Sequence, residues 1–294
     1  MPDVFIILDI SKGRVVLYPI SSFSEAPRKS QIASSSKEKN VLSSDKKSDL
    51  QKLEKHKIYS LIAKDTKSDM PELDIPGYKR VLYFNNSQTG FNATIYENKY
   101  NNELVLAYRG TDNREGVLDD IKMLQNCIPE QYHDAIKIYD DVLNCFPNRK
   151  IVVIGHSLGG SLAQLVASTY PEVEAVTFDP YGTSQIIEKY GLKDNKNCTN
   201  YTTDGSIVSS VSLHPGETKT VLAKPVDFAG TTFNLPIIEK HSIDNYTNMS
   251  PNLFANEKLQ NLKRTLTQSV VQAYAANILP LTPGVETIVP SLFF

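Results

Sequence analysis

The chain has 294 residues, 40% of them apolar and 22% charged, with 31 basic and 33 acidic side chains and a net charge of −2. That is enough apolar material for a sizeable core, which excludes a disordered chain. The balanced charge excludes a generic nucleic-acid binder, which needs a basic surface to neutralise phosphates. Three scattered cysteines, Cys127, Cys145 and Cys198, form no CxxC pair, so neither a disulfide framework nor a cysteine metal site is expected.

In chain order, Val4 to Leu8 and Arg14 to Tyr18 flank Lys12 and Gly13 and predict a short hairpin within residues 1–20. Residues 21–49 read as a flexible tether. The segment Ser21 to Ser48 holds ten serines and five lysines and almost no large apolar group, too little to offset the entropy of ordering. Leu50, Leu53, Leu61 and Ile62 recur near helical spacing and predict a helix from about Asp45 to Lys64. Phe91 to Glu97 and Leu104 to Tyr108 read as strands joined by the polar turn Asn98 to Asn102. An amphipathic helix follows from Glu130 to Cys145, with Tyr132, Ala135, Ile136, Tyr139, Val142 and Leu143 on its apolar side and Pro147 beyond its end. Ile151 to Ile154 is a short apolar strand, Leu158 to Thr169 a helix, and Ala175 to Phe178 and Thr199 to Thr203 two further strands. Strands alternating with helices predict an α/β fold with a mostly parallel sheet over residues 50–294.

Chemistry enters at Gly155-His156-Ser157-Leu158-Gly159-Gly160, between an apolar strand and a helix. G-x-S-x-G in that setting is a nucleophile elbow, the mark of an α/β-hydrolase fold. Gly155 and Gly159 relieve collisions in a turn tight enough to lift Ser157 above the sheet, beside the unpaired N–H groups of a helix N-terminus. A serine hydroxyl needs a base, and the base an orienting acid, in the chain order Ser, Asp or Glu, His. Only His214 and His241 follow Ser157. His241 is preferred because it leaves room for an acid-bearing strand before it; His214 is the alternative. Asp204, in Thr202-Thr203-Asp204-Gly205, is the preferred acid, and Asp179, at the end of the preceding buried strand, is the alternative. His156 is expected to pack behind the serine. The oxyanion is expected to meet the backbone N–H of Leu158 and of Thr111, in the loop after Leu104 to Tyr108.

Three stretches, Gly90 to Tyr96, Leu104 to Asp112 with its Tyr-Arg-Gly-Thr, and Ile151 to Gly160, together resemble the class 3 lipases and their bacterial phospholipase A1-like relatives. The resemblance runs from about residue 90 to residue 246. It implies an α/β-hydrolase, a serine-dependent carboxylic ester hydrolase of the lipase or phospholipase A kind, with Thr111 in the oxyanion hole and no cofactor or metal. It lacks the tryptophan that members often carry after R-G-T, because the chain has none. A soluble short-chain esterase, an acyltransferase, and a non-catalytic binding or scaffold protein on the same fold are the other readings.

From Thr265 onward the only charged side chain is Glu286, so this apolar tail is expected either to pack on the core or to meet a lipid surface. The expected partner is a lipid substrate at a membrane surface; no protein partner or nucleic acid is implied. With no signal peptide and no run of roughly 18 apolar residues, the expectation is a soluble chain, cytoplasmic or exported by a signal-independent route.

Overall fold

The computed structural model describes residues 4–9, 14–19, 44–110, 127–204, 206, 208–210, 212–223, 240–256, 258–262 and 265. Among them, nine strands form one sheet: β1 (Val4–Asp9), β2 (Arg14–Pro19), β3 (Tyr78–Asn86), β4 (Phe91–Asn98), β5 (Glu103–Tyr108), β6 (Lys150–His156), β7 (Glu174–Phe178), β8 (Cys198–Thr203) and β9 (Glu217–Val221). Their order is β2-β1-β3-β4-β5-β6-β7-β8-β9. β5 to β9 are all parallel, while β1/β2, β3/β4 and β4/β5 pair antiparallel. Among the described residues, the helices α1 (Ser44–Asp65), α2 (Gln131–Cys145), α3 (Leu158–Thr169) and α4 (Ser184–Lys189) accompany the sheet.

The central strands are apolar nearly throughout because helices cover both faces. Leu104, Leu106, Tyr108, Ile151 and Val153 point into a core shared with α2 and α3. Val105, Ala107, Val152 and Ile154, one residue out of phase, point into a second core shared with Leu53, Tyr59, Ile62 and Ala63 of α1. This is the α/β-hydrolase arrangement: a mostly parallel sheet between helices, with a sharp strand-to-helix turn at β6 and α3.

β1 and β2 pair antiparallel along their whole length, Val4 against Pro19 to Asp9 against Arg14. β1 pairs parallel with β3, Ile6 against Leu82 and Leu8 against Phe84, so the hairpin extends the sheet. α1 starts at Ser44, so the last residues of the stretch read as tether are helical. In α2 the buried residues include Ile138, whereas Leu143 is exposed. β3 and β9 were not anticipated. Lys79, Arg80, Asn85 and Asn86 interrupt the apolar pattern of β3, which carries an irregularity between Arg80 and Leu82. β9, Glu-Thr-Lys-Thr-Val, is a polar edge strand whose first residues are exposed. No described helix is long and apolar enough to cross a membrane.

Candidate active site

β6 turns into α3 at Ser157, whose backbone sits at φ 57° and ψ −130°. A non-glycine residue in that region is strained, and the surroundings must hold it there. They do so by contact. A Cβ on Gly155 would lie 2.2 Å from the carbonyl carbon of Gly159, and one on Gly159 would lie 2.1 Å from the Tyr108 carbonyl oxygen. The Ser157 N–H donates to the Phe178 carbonyl at 3.0 Å, tying the turn to β7. Buried residues run from Leu158 to Ser168, so α3 is a rigid base for the elbow.

The Ser157 hydroxyl lies 2.9 Å from His241 Nε2, and His241 Nδ1 lies 2.7 Å from Asp179 Oδ2. An ionised carboxylate only accepts, so Nδ1–H donates to Asp179 and Nε2 is left to accept from the Ser157 O–H. Asp179 is fully buried, and His241 is largely buried. The Asp179 N–H donates to the Tyr201 carbonyl at 2.7 Å, and its Oδ1 accepts from the Thr203 N–H at 3.5 Å.

The acid beside His241 is therefore Asp179, and the preference for Asp204 is corrected. β7 is the immediate neighbour of β6, so a residue at its end lies next to the elbow; β8 is one strand spacing further out. Asp204, at the end of β8, accepts instead from the Ala223 N–H and from Lys240 Nζ, each at 3.0 Å. His214 is also elsewhere. Its Nε2–H donates to the Ser209 carbonyl and its Nδ1 accepts from the Gln164 amide, both at 3.0 Å.

Four contacts fix the segment carrying His241. Thr203 Oγ1 donates to the Lys240 carbonyl at 2.6 Å, and Asn245 Nδ2 to the same oxygen at 3.2 Å. Lys64 of α1 pairs with Asp244 at 2.6 Å. The fourth is His156, whose Nε2–H donates to the His241 carbonyl at 2.7 Å, with the two rings 4.7 Å apart. Burial, then the neighbouring His241, then Lys67 hold the His156 imidazole well below its usual pKa, which favours its neutral form beside His241. The expectation that His156 packs behind Ser157 fits this placement; its bond to the His241 backbone was not legible in the motif.

The oxyanion side is partly described. Leu158 opens α3, and the first N–H groups of a helix have no intrahelical acceptor. Thr111 lies outside the described residues. The chain leading to it does approach the elbow: a Cβ on Gly110 would lie 2.5 Å from the His156 carbonyl oxygen and 3.2 Å from Ser157 Cβ. Just before it, the Arg109 N–H donates to the Asn92 carbonyl at 3.0 Å, and its guanidinium pairs with Asp69 at 2.6 Å. Asp69 also accepts from the Tyr83 hydroxyl, and these bonds hold its carboxyl below the usual range against the opposing effect of burial, the largest single influence. Sequence reading missed Asp69, which precedes the recognisable part of the chain. Among the described residues, no group of three or more His, Cys, Asp or Glu side chains is placed to hold a metal ion.

Residues 47–261 match the family model of the Tle-like phospholipase domain. A putative lipase ATG15 of Pichia angusta is 40% identical over 65 residues, 20% of this chain and 12% of that protein. The extracellular phospholipase A1 of Serratia liquefaciens is 34% identical over 96 residues, 33% of this chain and 29% of that protein. The match thus spans less than a third of the length of either relative. Among solved structures, the nonglycosylated LIP2 lipase of Yarrowia lipolytica aligns with a TM-score of 0.48 at 16% identity, covering 66% of this chain and 93% of that one. A lipase from Rhizopus microsporus var. chinensis aligns at 0.46 and 17%, covering 69% and 87%.

Proposed function

Because the chain belongs to the family of Tle-like phospholipase domains, we propose that it is a serine-dependent carboxylic ester hydrolase that cleaves lipid esters by a Ser157-His241-Asp179 triad. The observation that carries this reading is the unbroken hydrogen-bonded line from the Ser157 hydroxyl through His241 to buried Asp179, set on a strained elbow. Strain at a serine that already has its base in contact points to chemistry rather than to a turn.

The steps follow from the donors and acceptors. Ser157 Oγ attacks the ester carbonyl carbon as its proton passes to His241 Nε2, and the carbonyl oxygen becomes an oxyanion facing the N–H of Leu158 and, in this reading, of Thr111. Asp179 stabilises the imidazolium through Nδ1–H without taking the proton. As the C–O bond breaks, His241 returns the proton to the departing alcohol, leaving an acyl group on Ser157. Water enters, gives a proton to His241 and attacks the acyl carbon; the carboxylic acid leaves and Ser157 recovers its hydrogen.

The substrate in this reading is a phospholipid or acylglycerol met at an aggregated surface. The family and the phospholipase A1 relative support a lipid. The surface rests on the apolar composition of the chain after Thr265, of which residues 266–294 lie outside the described residues. The test is product analysis by mass spectrometry on vesicles containing both phospholipid and acylglycerol, paired with fluorophosphonate labelling. Released fatty acid and a label, both lost in Ser157→Ala, are expected, with turnover falling by about 10⁴-fold or more. Labelling that is absent, or that persists in Ser157→Ala, overturns the reading in favour of a binding protein on a hydrolase fold.

A further inference from the structure

On the α3 face of the sheet, at its β8–β9 end, a hollow of about 320 Å³ has a lining unlike the cores around it. Six hydroxyl side chains line it: Ser184, Thr202, Ser209, Ser212, Thr218 and Thr220. His214, Gln260 and Asn261 complete its polar wall, and no Lys, Arg, Asp or Glu stands among its described lining residues. Neither Ser157, His241 nor Asp179 lines it, so it is distinct from the triad.

The chemistry of this lining narrows the occupant. Among its described lining residues a phosphate or carboxylate would meet no Lys or Arg, and His214 directs one ring nitrogen to the Ser209 carbonyl and the other to the Gln164 amide. An acyl chain would cover hydroxyls without bonding them. Hydroxyls and amides each donate and accept, which matches a ligand that does the same around a ring or short chain. The volume is at the lower end of the roughly 300–1,000 Å³ usual for small-molecule sites. One wall group also lacks a partner: Ser212 is 6% exposed, and its buried Oγ makes no hydrogen bond. A buried hydroxyl without a partner is uncommon and calls for a ligand or ordered water.

We propose that this hollow binds an uncharged polyol, such as glycerol, inositol or a hexose ring, either free or as the head group of a lipid, and that its occupancy steadies Asp179. The second clause rests on the triad reading above. Its structural ground is that the hollow shares walls with the loop that Asp179 begins. A Cβ on Gly182 would lie 2.1 Å from the Ser212 carbonyl oxygen, and the Ser184 N–H donates to the Leu213 carbonyl at 3.0 Å. On the other side, Thr202 precedes Thr203, whose N–H faces Asp179 Oδ1. A ligand held by Ser212 and Thr202 therefore bears both on the loop after Asp179 and on the strand end whose N–H faces its carboxylate.

Binding is tested first in Ser157→Ala, where turnover plays no part, by ligand-observed NMR with myo-inositol and with glycerol. Saturable binding of either polyol is expected, weakened about tenfold or more by Thr218→Val or Ser212→Ala made in that background. Thr218 is exposed, so its variant tests the site even if Ser212→Ala fails to fold. The two sources are then separated with the otherwise wild-type enzyme. Faster turnover of phosphatidylcholine vesicles on adding free myo-inositol indicates a free ligand. Preference for phosphatidylinositol over phosphatidylcholine, lost in Thr218→Val, indicates a head group. No saturable binding of either polyol in Ser157→Ala, or equal binding in both variants, overturns the site. Binding without either effect on turnover overturns the link to Asp179. Because the binding arm needs no hydrolysis, its failure leaves the hydrolase reading intact, and the reverse also holds.

Discussion

Asp179 and Asp204 both end parallel strands, yet their surroundings assign them different work. Asp179 has φ 47°, is buried, and has His241 Nδ1 on one oxygen; Asp204 has a lysine and a backbone N–H on one of its own. Asp179→Asn is therefore expected to lower kcat by about 10⁴-fold, because the amide can stabilise the wrong imidazole tautomer. Asp204→Asn should leave kcat within a few-fold and show its effect in the melting temperature, since an ion pair that is partly exposed contributes about 1 kcal/mol or less. Vesicle hydrolysis by the two purified variants distinguishes these outcomes, and equal losses would return both residues to question. Ser157 and His241 were legible because one carries a local motif and the other is one of only two downstream histidines. The acid was not, because both aspartates sit before turn-forming residues. What separates them is which strand adjoins β6, a fact of sheet order that no local window contains. An aspartate tolerates positive φ better than most residues, so Asp179-Pro180 was compatible with either role.

Among elements, the strand-to-helix turn is the part that sequence specified most tightly. β5, β6, α3 and β7 lie within two residues of their expected bounds because each carries a compact apolar run and is closed by Gly, Pro or a polar loop. β3 and β9 escaped because charged and polar residues stand where alternation would mark a strand, and neighbouring strands supply the pairing that their own composition does not announce. The elbow glycines give a direct check. At Gly155 and Gly159 a methyl group would meet backbone atoms at 2.2 and 2.1 Å, where no side chain can rotate away. Gly155→Ala and Gly159→Ala should each lose about 3 kcal/mol or more of stability in urea denaturation, together with most of the activity. A variant with unchanged stability would mean the turn relaxes more freely than its contacts allow.

For the molecule as a whole, two buried histidines set how stability depends on pH. His56 lies at 0% exposure with Nδ1 2.9 Å from the Tyr201 hydroxyl, and burial is the main cause of its lowered pKa; burial lowers His156 further still. Each binds a proton less readily when folded than when unfolded, so the unfolded state gains protons first as pH falls. Stability should be level above about pH 7 and decline as pH drops below about 6.5, the ordinary imidazole value. Glu174 adds a second decline at lower pH. His56 beside it and Lys150 at 2.6 Å hold its carboxyl at about 2, so its contribution is present above the usual carboxylate range and is lost as pH falls toward that value. Urea denaturation across this range checks the prediction: His56→Gln should flatten the slope near pH 6, and an unaltered slope would exclude His56 as a source.

The parallel pairing of β1 with β3 has a consequence for how the chain assembles. Ile6 meets Leu82 across a separation on the order of seventy residues, whereas β3 to β4 and β4 to β5 close through short turns. Contacts between distant positions form late, because loop entropy is lost before they are made. The hairpin is thus placed to join a sheet already built, and β3 presents an open row of backbone donors and acceptors until it does. A chain shortened to begin after β2 would keep the elbow and the triad residues but leave that row permanently uncovered, inviting edge-to-edge association with other copies. With the hairpin in place the open edge passes from the nine residues of β3 to the six of β2, so the first strands shorten the row of backbone groups left to pair with another chain rather than abolish it.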